Sequence, residues 1–249
     1  MNPRVGLFVT CLVDLVRPQV GFAAIKLLEQ SGCTVAVPSA QTCCGQPAWN
    51  SGADADAAAI ARQVVDAFEE FDYVVAPSGS CAGMLRRHYP DVLANDPAYA
   101  PRARALAAKS HELVSFLVNV RKMERVGAAC AARACYHDSC SSLREMHVKD
   151  EPRTLLASVD GLTLAELKSP QVCCGFGGLF SVKYPEISER MADDKIADAR
   201  ATGADTLIGP DLGCLLHLAG RMERQGLALH VRHIAEVLAG DEGPALGEP

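Results

Sequence analysis

Short apolar runs alternate with longer amphipathic segments along the first part of the chain. Val5–Thr10, Thr34–Val37 and Tyr73–Ala76 predict three buried strands. Helices are predicted between them, and their apolar positions follow the helical period: Val20, Ala24, Leu27 and Leu28, then Ala57, Ile60, Ala61, Val64, Val65 and Phe68. Strands that alternate with helices predict an α/β fold with a parallel sheet and right-handed crossovers.

The same order of elements returns in the second part of the chain. Strands are predicted over 134–137, 162–167 and 206–209, with a long amphipathic helix over Pro185–Ala201. The sequence thus predicts two pseudo-symmetric repeats, residues 1–125 and 126–240, each a small parallel sheet flanked by helices. We also predict a linker over 95–104, a helix over His111–Val120 and a disordered tail over 241–249.

Composition narrows the class of protein. The 249 residues carry a net charge of −6 without a basic run, which argues against a nucleic-acid partner. No apolar run is long enough to span a membrane, and the N-terminus has no signal-peptide pattern. We therefore expect a cytoplasmic protein, in which repeated cysteines indicate metal or redox chemistry rather than structural disulfides.

The cysteines repeat in two matching sets. Each set is centred on a Cys-Cys-Gly triplet, Cys43-Cys44-Gly45 and Cys173-Cys174-Gly175. Cys11 precedes its triplet by 32 residues and Cys140 precedes its own by 33. Cys81 and Cys214 follow, each four residues after a proline that ends a predicted strand. The repeat period is about 130 residues, which suits two copies of a small domain rather than a solenoid.

These eight thiols are candidate metal ligands. Three of the four in each set lie just beyond predicted strands, at the sheet edge where open α/β folds bind ligands. Thiolates suit zinc, copper(I) or iron–sulfur groups, and adjacent cysteines bind different irons of a cluster more easily than one small zinc ion. We favour an iron–sulfur cluster of the four-iron type, in one or both halves. Zinc stays open as the alternative, above all for Cys11, Cys43, Cys44 and Cys81.

At these residues the sequence resembles the cysteine-rich CCG-domain family, whose members include heterodisulfide-reductase subunits and iron–sulfur subunits of oxidising complexes. The segments 77–84, 136–140 and 173–178 are most similar to the lactate-utilisation branch of this family. The resemblance implies an iron–sulfur electron-transfer subunit of a cytosolic complex that oxidises L-lactate to pyruvate. It also implies two partners, the lactate-utilisation protein B and C type subunits, and a subunit rather than a self-sufficient enzyme.

The chain departs from the family motif at one position in each half. The motif ends Cys-x-x-Cys, but Met84 and His217 stand where the last cysteine is expected. His217 is a candidate iron ligand together with Cys140, Cys173, Cys174 and Cys214, whereas the thioether of Met84 is a poor one. If one half alone holds a cluster, we expect the second half because of His217.

Two other functions stay open. One is a catalytic thiol–disulfide subunit, as in heterodisulfide reductases, and the other is a zinc-binding scaffold without enzymatic activity. Cys33, Cys130 and Cys135 have no counterpart in the other repeat and are interpreted as ordinary free thiols. His137 and Asp138, beside Cys140, are interpreted as polar strand-end residues rather than as donors to the site.

Overall fold

Two parallel sheets, one in each half of the chain, organise the computed structural model, which describes residues 2–247. The strands of the first sheet are β1 (Arg4–Leu7), β2 (Thr34–Ala36), β3 (Tyr73–Ala76) and β4 (Ser110–Glu112). Those of the second are β5 (Ala129–Tyr136), β6 (Asp160–Ala165), β7 (Thr206–Gly209) and β8 (His230–His233). The strand orders, β2-β1-β3-β4 and β6-β5-β7-β8, are equivalent, so the predicted α/β fold of two pseudo-symmetric repeats is confirmed.

Helices connect and cover the strands. The first half contains α1 (Cys11–Val16), α2 (Pro18–Gln30), α3 (Gln46–Ser51), α4 (Asp54–Phe68), α5 (Gly79–Gly83), α6 (Tyr89–Val92), α7 (Ala100–Lys109) and α8 (Leu113–Ser115). The second half contains α9 (Cys140–Arg144), α10 (Asp150–Leu156), α11 (Phe180–Lys183), α12 (Pro185–Ala201), α13 (Leu212–Arg224) and α14 (Ile234–Ala239). Two π-helical turns, Met84–His88 and Phe116–Val120, continue α5 and α8.

The structure differs from the sequence-based expectations in three places. His111 and Glu112 belong to strand β4 rather than to a helix, because their backbone pairs with β3. The expected linker over 95–104 contains the start of α7, whose Ala103 is fully buried. In the expected tail, Ala245 and Leu246 are buried, and the N–H of Leu246 donates to the carbonyl of Val231 in the second sheet. Residues 248 and 249 of that tail lie outside the described residues.

The two halves are joined by packing and by buried polar contacts. Helices α2 and α14 lie against each other, and the guanidinium of Arg17 pairs with the buried carboxylate of Glu236 at 2.7 Å. Helices α5 and α9 approach so closely that a Cβ on Gly79 would lie 1.9 Å from Ser142 Oγ. Glycine is therefore required where the halves meet.

A single carboxylate links the cysteine-bearing turns of the two halves. Asp211 accepts hydrogen bonds from the hydroxyls of Ser78 (2.8 Å) and Ser80 (2.8 Å) in the first half, and from Ser139 (2.9 Å) in the second. Ser78 and Asp211 hold equivalent positions, each directly after the proline that follows β3 or β7. This contact holds the turns that carry Cys81, Cys140 and Cys214 in a fixed relation. No helix in the described part of the chain is long and apolar enough to cross a membrane.

Candidate metal sites

Each half gathers its four repeated cysteines at the carboxyl ends of its strands. Cys11 begins α1 shortly after β1, and Cys140 begins α9 shortly after β5. The triplets lie in the loops that follow β2 and β6, while Cys81 and Cys214 lie in the first turns of α5 and α13. Each of the eleven cysteines is a free thiol. The parallel order of the strands brings residues that are far apart in sequence to one edge.

In the first half the sulfurs form a connected series. Cys11 Sγ lies 3.9 Å from Cys43 Sγ, and the N–H of Gly45 donates to Cys43 Sγ at 3.4 Å. The neighbouring thiols of Cys11 and Cys44 therefore lower the pKa of Cys43, to about 2. Cys44 in turn lies between Cys43 and Cys81, and both contacts raise its pKa. Cys43 is the sulfur set up as the thiolate.

The second half repeats this arrangement. The N–H of Gly175 donates to Cys173 Sγ at 3.4 Å, the same distance as in the first half. The neighbouring thiols of Cys140 and Cys174 lower the pKa of Cys173, to about 2. Cys174 lies between Cys173 and Cys214, as Cys44 lies between Cys43 and Cys81. Both predicted sets of four cysteines are thus brought together in space.

The glycine of each triplet has a left-handed backbone. Its φ is +82° at Gly45 and +90° at Gly175, a region that other residues enter with strain. At Gly175 a Cβ would also lie 2.5 Å from the carbonyl oxygen of Ser188, whereas at Gly45 the nearest atom would be Ile60 Cγ2 at 3.3 Å. The glycine turns the loop so that its own N–H points back at the first sulfur of the triplet.

His137, which the sequence analysis interprets as a polar strand-end residue, lies beside the second set of cysteines. One of its ring nitrogens and the sulfurs of Cys174 and Cys214 all lie within 4.8 Å of one another. The residue is 0% exposed, and burial together with the cation of Lys195 lowers the pKa of the imidazole to about 3. Its neighbour Asp138 has a different role, because both carboxylate oxygens bind the guanidinium of Arg153 at 2.8 and 2.9 Å.

The two residues at the final motif position lie in different surroundings. Met84 is fully buried in the same hydrophobic cluster as Cys44 and Cys81. His217 packs against the ring of Phe176, and its Nε2 lies 3.2 Å from Ser188 Oγ, whose own proton is donated to the carbonyl of Gly175. Nε2 is thus a donor to Ser188. A ligand role for His217 stays a prediction, as does each ligand role of the eight cysteines.

The three cysteines without a counterpart lie elsewhere in the fold. Cys33 precedes β2, where its sulfur lies 3.4 Å from Ser31 Oγ, and Cys130 and Cys135 are in β5. Burial raises the pKa of Cys135 to about 11, so this thiol stays protonated.

The cysteines of the first half open onto two cavities. One of about 420 Å³ is lined by Cys11, Cys43, Cys44 and Cys81 and is closed by apolar residues of the second half, Phe176, Leu179, Val182 and Leu212. The other, of about 380 Å³, reaches Cys11 and Cys43 from the side of α1. Neither cavity has a second-half cysteine among its described lining residues.

The donor set is suited to a soft metal. Four sulfurs in each set, and a buried imidazole beside the second set, are the kinds of donor that zinc and iron–sulfur groups take. The protein is therefore of the class in which a duplicated α/β scaffold carries two clusters of cysteines suited to a soft metal.

Comparison with known proteins agrees with this class and narrows it. Residues 5–86 and 134–219 each match the family model described as a cysteine-rich domain, CCG. The chain is 49% identical to Lactate utilization protein A of Shouchella clausii, over 96% of this chain and 100% of that protein. It is 52% identical to the protein of the same name from Geobacillus kaustophilus, over 94% of this chain and 98% of the relative. The chain therefore belongs to the cysteine-rich CCG family and, within it, to the lactate utilization protein A group.

A solved structure shares the fold at low sequence identity. It is a protein from Helicobacter pylori, described as hypothetical, which superposes with a TM-score of 0.68 over 100% of this chain and 51% of its own. The identity is 12%, so this similarity concerns the fold alone.

Proposed function

We propose that the chain is an iron–sulfur electron-transfer subunit of a cytosolic complex that oxidises L-lactate to pyruvate. The observation that carries this proposal is the convergence of two equivalent sets of four cysteines, Cys11, Cys43, Cys44 and Cys81 with Cys140, Cys173, Cys174 and Cys214. The relatives at 49 and 52% identity, both called Lactate utilization protein A, supply the link to lactate.

Two sites within one small chain suit relay of electrons better than a single hydrolytic centre does. When bound, an iron–sulfur cluster supplies one-electron transfer at a potential set by burial and by hydrogen bonds to sulfur. The chain's contribution is then to hold the thiolates and to direct the N–H groups of Gly45 and Gly175 at them. The Asp211 contacts fix the two cysteine-bearing turns relative to each other.

The cavity at the first cysteine set is a poor site for lactate itself. Its lining is mainly apolar, and Asp211 is the one charged residue among the described residues that line it. A carboxylate there repels a carboxylate substrate and offers no cation to bind it. This supports oxidation of lactate on a partner, with electrons passed to this chain.

Exposed apolar side chains near both cysteine sets support docking of such partners. Leu15 on α1 is 79% exposed, Val182 at the cavity is 75% exposed, and Val172 directly precedes Cys173. Apolar side chains grouped at a site of this kind are typical of protein interfaces. The partners we propose are the lactate-utilisation protein B and C type subunits.

The proposal is tested by adding L-lactate to the anaerobic chain with and without these partners while the visible absorption of the cluster is followed. We expect bleaching with both partners present and none with the isolated chain. Bleaching of the isolated chain would instead make it a self-sufficient lactate dehydrogenase. Lack of bleaching in the full complex would exclude the relay.

A zinc-binding scaffold is the second candidate function, and one observation favours it. The donor atoms of His137, Cys174 and Cys214 are close enough together to bind a single ion. Protein purified with stoichiometric zinc and no sulfide would support this alternative.

A further inference from the structure

His137 is held by the sheet in a place where its ring cannot reach water. It directly follows β5, and its N–H donates to the carbonyl of Ile208 at 2.8 Å. The side chain is 0% exposed, and among the described residues neither Nδ1 nor Nε2 has a hydrogen-bond partner. Buried polar atoms are nearly always paired, because an unpaired one has lost its hydrogen bonds to water without replacement. Two unpaired nitrogens on one ring therefore indicate a missing partner.

The atoms near the ring narrow the identity of this partner. The sulfurs of Cys174 and Cys214 lie within 4.8 Å of one ring nitrogen and of each other. Lys195 is also near, but its Nζ donates to the carbonyl of Ser169 at 2.8 Å. The missing partner is therefore one that a ring nitrogen and two sulfurs can share, which is the donor set of a metal.

Comparison with the first half shows that the repeat does not itself require a histidine here. The equivalent residue is Phe8, which also lies three residues before the first cysteine and whose N–H donates to Val75 O at 2.8 Å, as His137 does to Ile208. The ring of Phe8 packs on Phe68 with centroids 5.7 Å apart, beside Cys44 and Cys81. An apolar side chain at this position thus suffices for folding in the first half, whereas the second half buries an unpaired imidazole there.

We propose that His137 is a nitrogen ligand of the metal group held by Cys140, Cys173, Cys174 and Cys214. The proposal rests on metal binding under the proposed function, and it makes the second site a mixed nitrogen–sulfur site and the first an all-sulfur site. It also assigns the nitrogen donor to His137 rather than to His217, because a ring nitrogen of His137 lies within 4.8 Å of the sulfurs of Cys174 and Cys214. No nitrogen of the first half is expected to bind its metal.

The test is pulsed electron paramagnetic resonance on the full chain, purified anaerobically and then reduced. Spectra of the protein at natural isotope abundance are compared with spectra of protein that contains ¹⁵N-labelled histidine. We expect a directly coordinated nitrogen whose hyperfine coupling changes with the label in the unmodified protein. His137→Phe, which copies the residue of the first half, should lose this coupling. His111→Phe is the matched control and should keep it, because His111 is half-buried beside Tyr73 and Phe116, away from the cysteines.

Each outcome decides the proposal. A coupling that survives in His137→Phe, or that disappears in His217→Phe instead, overturns it, and so does coupling typical of a remote nitrogen in the unmodified protein. The labelled spectrum shows that a histidine is coordinated but not which one, so His217→Phe assigns the signal if His137→Phe fails to fold. The coupling should persist in that variant. If the protein holds zinc, the proposed electron transfer fails, but the role of His137 is still tested. His137→Phe should then lose a nitrogen scatterer at about 2.0 Å in zinc-edge X-ray absorption. Protein without any metal overturns both proposals.

Discussion

The two cysteine sites have the same arrangement of sulfurs and differ in the buried side chain beside them. In both halves the triplet glycine donates its N–H to the first sulfur of the triplet at 3.4 Å. That side chain is a phenylalanine, Phe8, in the first half and a histidine, His137, in the second. The first set also lines two cavities. The arrangement of the sulfurs is therefore alike in the two halves, whereas the polarity of the neighbouring side chain differs, which gives two sites of unequal potential if both hold clusters.

The largest expected effect comes from removing the triplet sulfurs of one half at a time. Cys43→Ser with Cys44→Ser, and Cys173→Ser with Cys174→Ser, should each lose about half of the bound iron and sulfide, because a serine hydroxyl replaces a thiolate ligand. Both variants should keep their partners, since the exposed apolar side chains are unchanged. The measurement is metal and sulfide analysis of the purified complex. If either pair removed all of the metal, the two sites would not be independent.

The triplet glycines provide the second comparison. Gly175→Ala should lower the free energy of unfolding of the metal-free protein by about 3 kcal/mol, because a left-handed backbone and a clash with Ser188 O add together. Gly45→Ala should lower it by about 1–2 kcal/mol, since the methyl group meets nothing closer than the side chain of Ile60 at 3.3 Å. Urea denaturation measures both. Equal losses would contradict the tighter packing of the second loop.

A third comparison concerns the residues that cap the helices after the fourth strands. Glu112 in the first half accepts from the N–H of Ser115 at 2.8 Å, and His233 holds the equivalent position in the second. Burial raises the pKa of Glu112 to about 7, above its ordinary value near 4.5. The folded protein thus keeps a proton that the unfolded chain has lost, so this carboxyl reduces stability as the pH rises from about 4.5 to 7.

Glu112→Gln should remove this pH dependence. Between pH 5 and pH 8 the variant should gain about 2 kcal/mol of unfolding free energy relative to the unmodified protein. Glu70→Gln, at an exposed position, is the control and should follow the unmodified protein at both pH values. If the unfolding free energies of Glu112→Gln and of the unmodified protein changed equally with pH, Glu112 would not be a buried, protonated carboxyl.

The smallest effect is expected at the exposed apolar side chains beside the first cysteine set. Val182→Asp should weaken binding of the partner subunits about tenfold, because it places a charge at the cavity over the first cysteine set. Phe22→Asp replaces a side chain that is 69% exposed and lines neither cavity, so it should bind normally. Titration calorimetry with the partners distinguishes the two. Weakening by Phe22→Asp alone would move the interface to α2.

The sequence was sufficient to predict that the eight repeated cysteines form two sets, because their spacing around Cys43 and Cys173 is nearly the same in both halves. Strands β4 and β8 could not be predicted, since Ser110–Glu112 and His230–His233 are short and carry polar side chains. They become strands through pairing with β3 and β7, a tertiary effect that local pattern does not contain.

His137 shows the corresponding limit at the site. In sequence it is a polar residue at a strand end, next to Asp138, which forms an ion pair with Arg153. Its significance depends on complete burial and on two unpaired nitrogens, which only the assembled fold reveals. The one available signal was the contrast with Phe8 at the same distance from the first cysteine.

The most direct test of two thiolate-bound clusters is iron and acid-labile sulfide analysis of the chain purified without oxygen, with its electron paramagnetic resonance spectrum. We predict brown protein with sulfide close to the iron content and two distinguishable signals on reduction. Colourless protein that holds zinc, with neither iron nor sulfide, would contradict it.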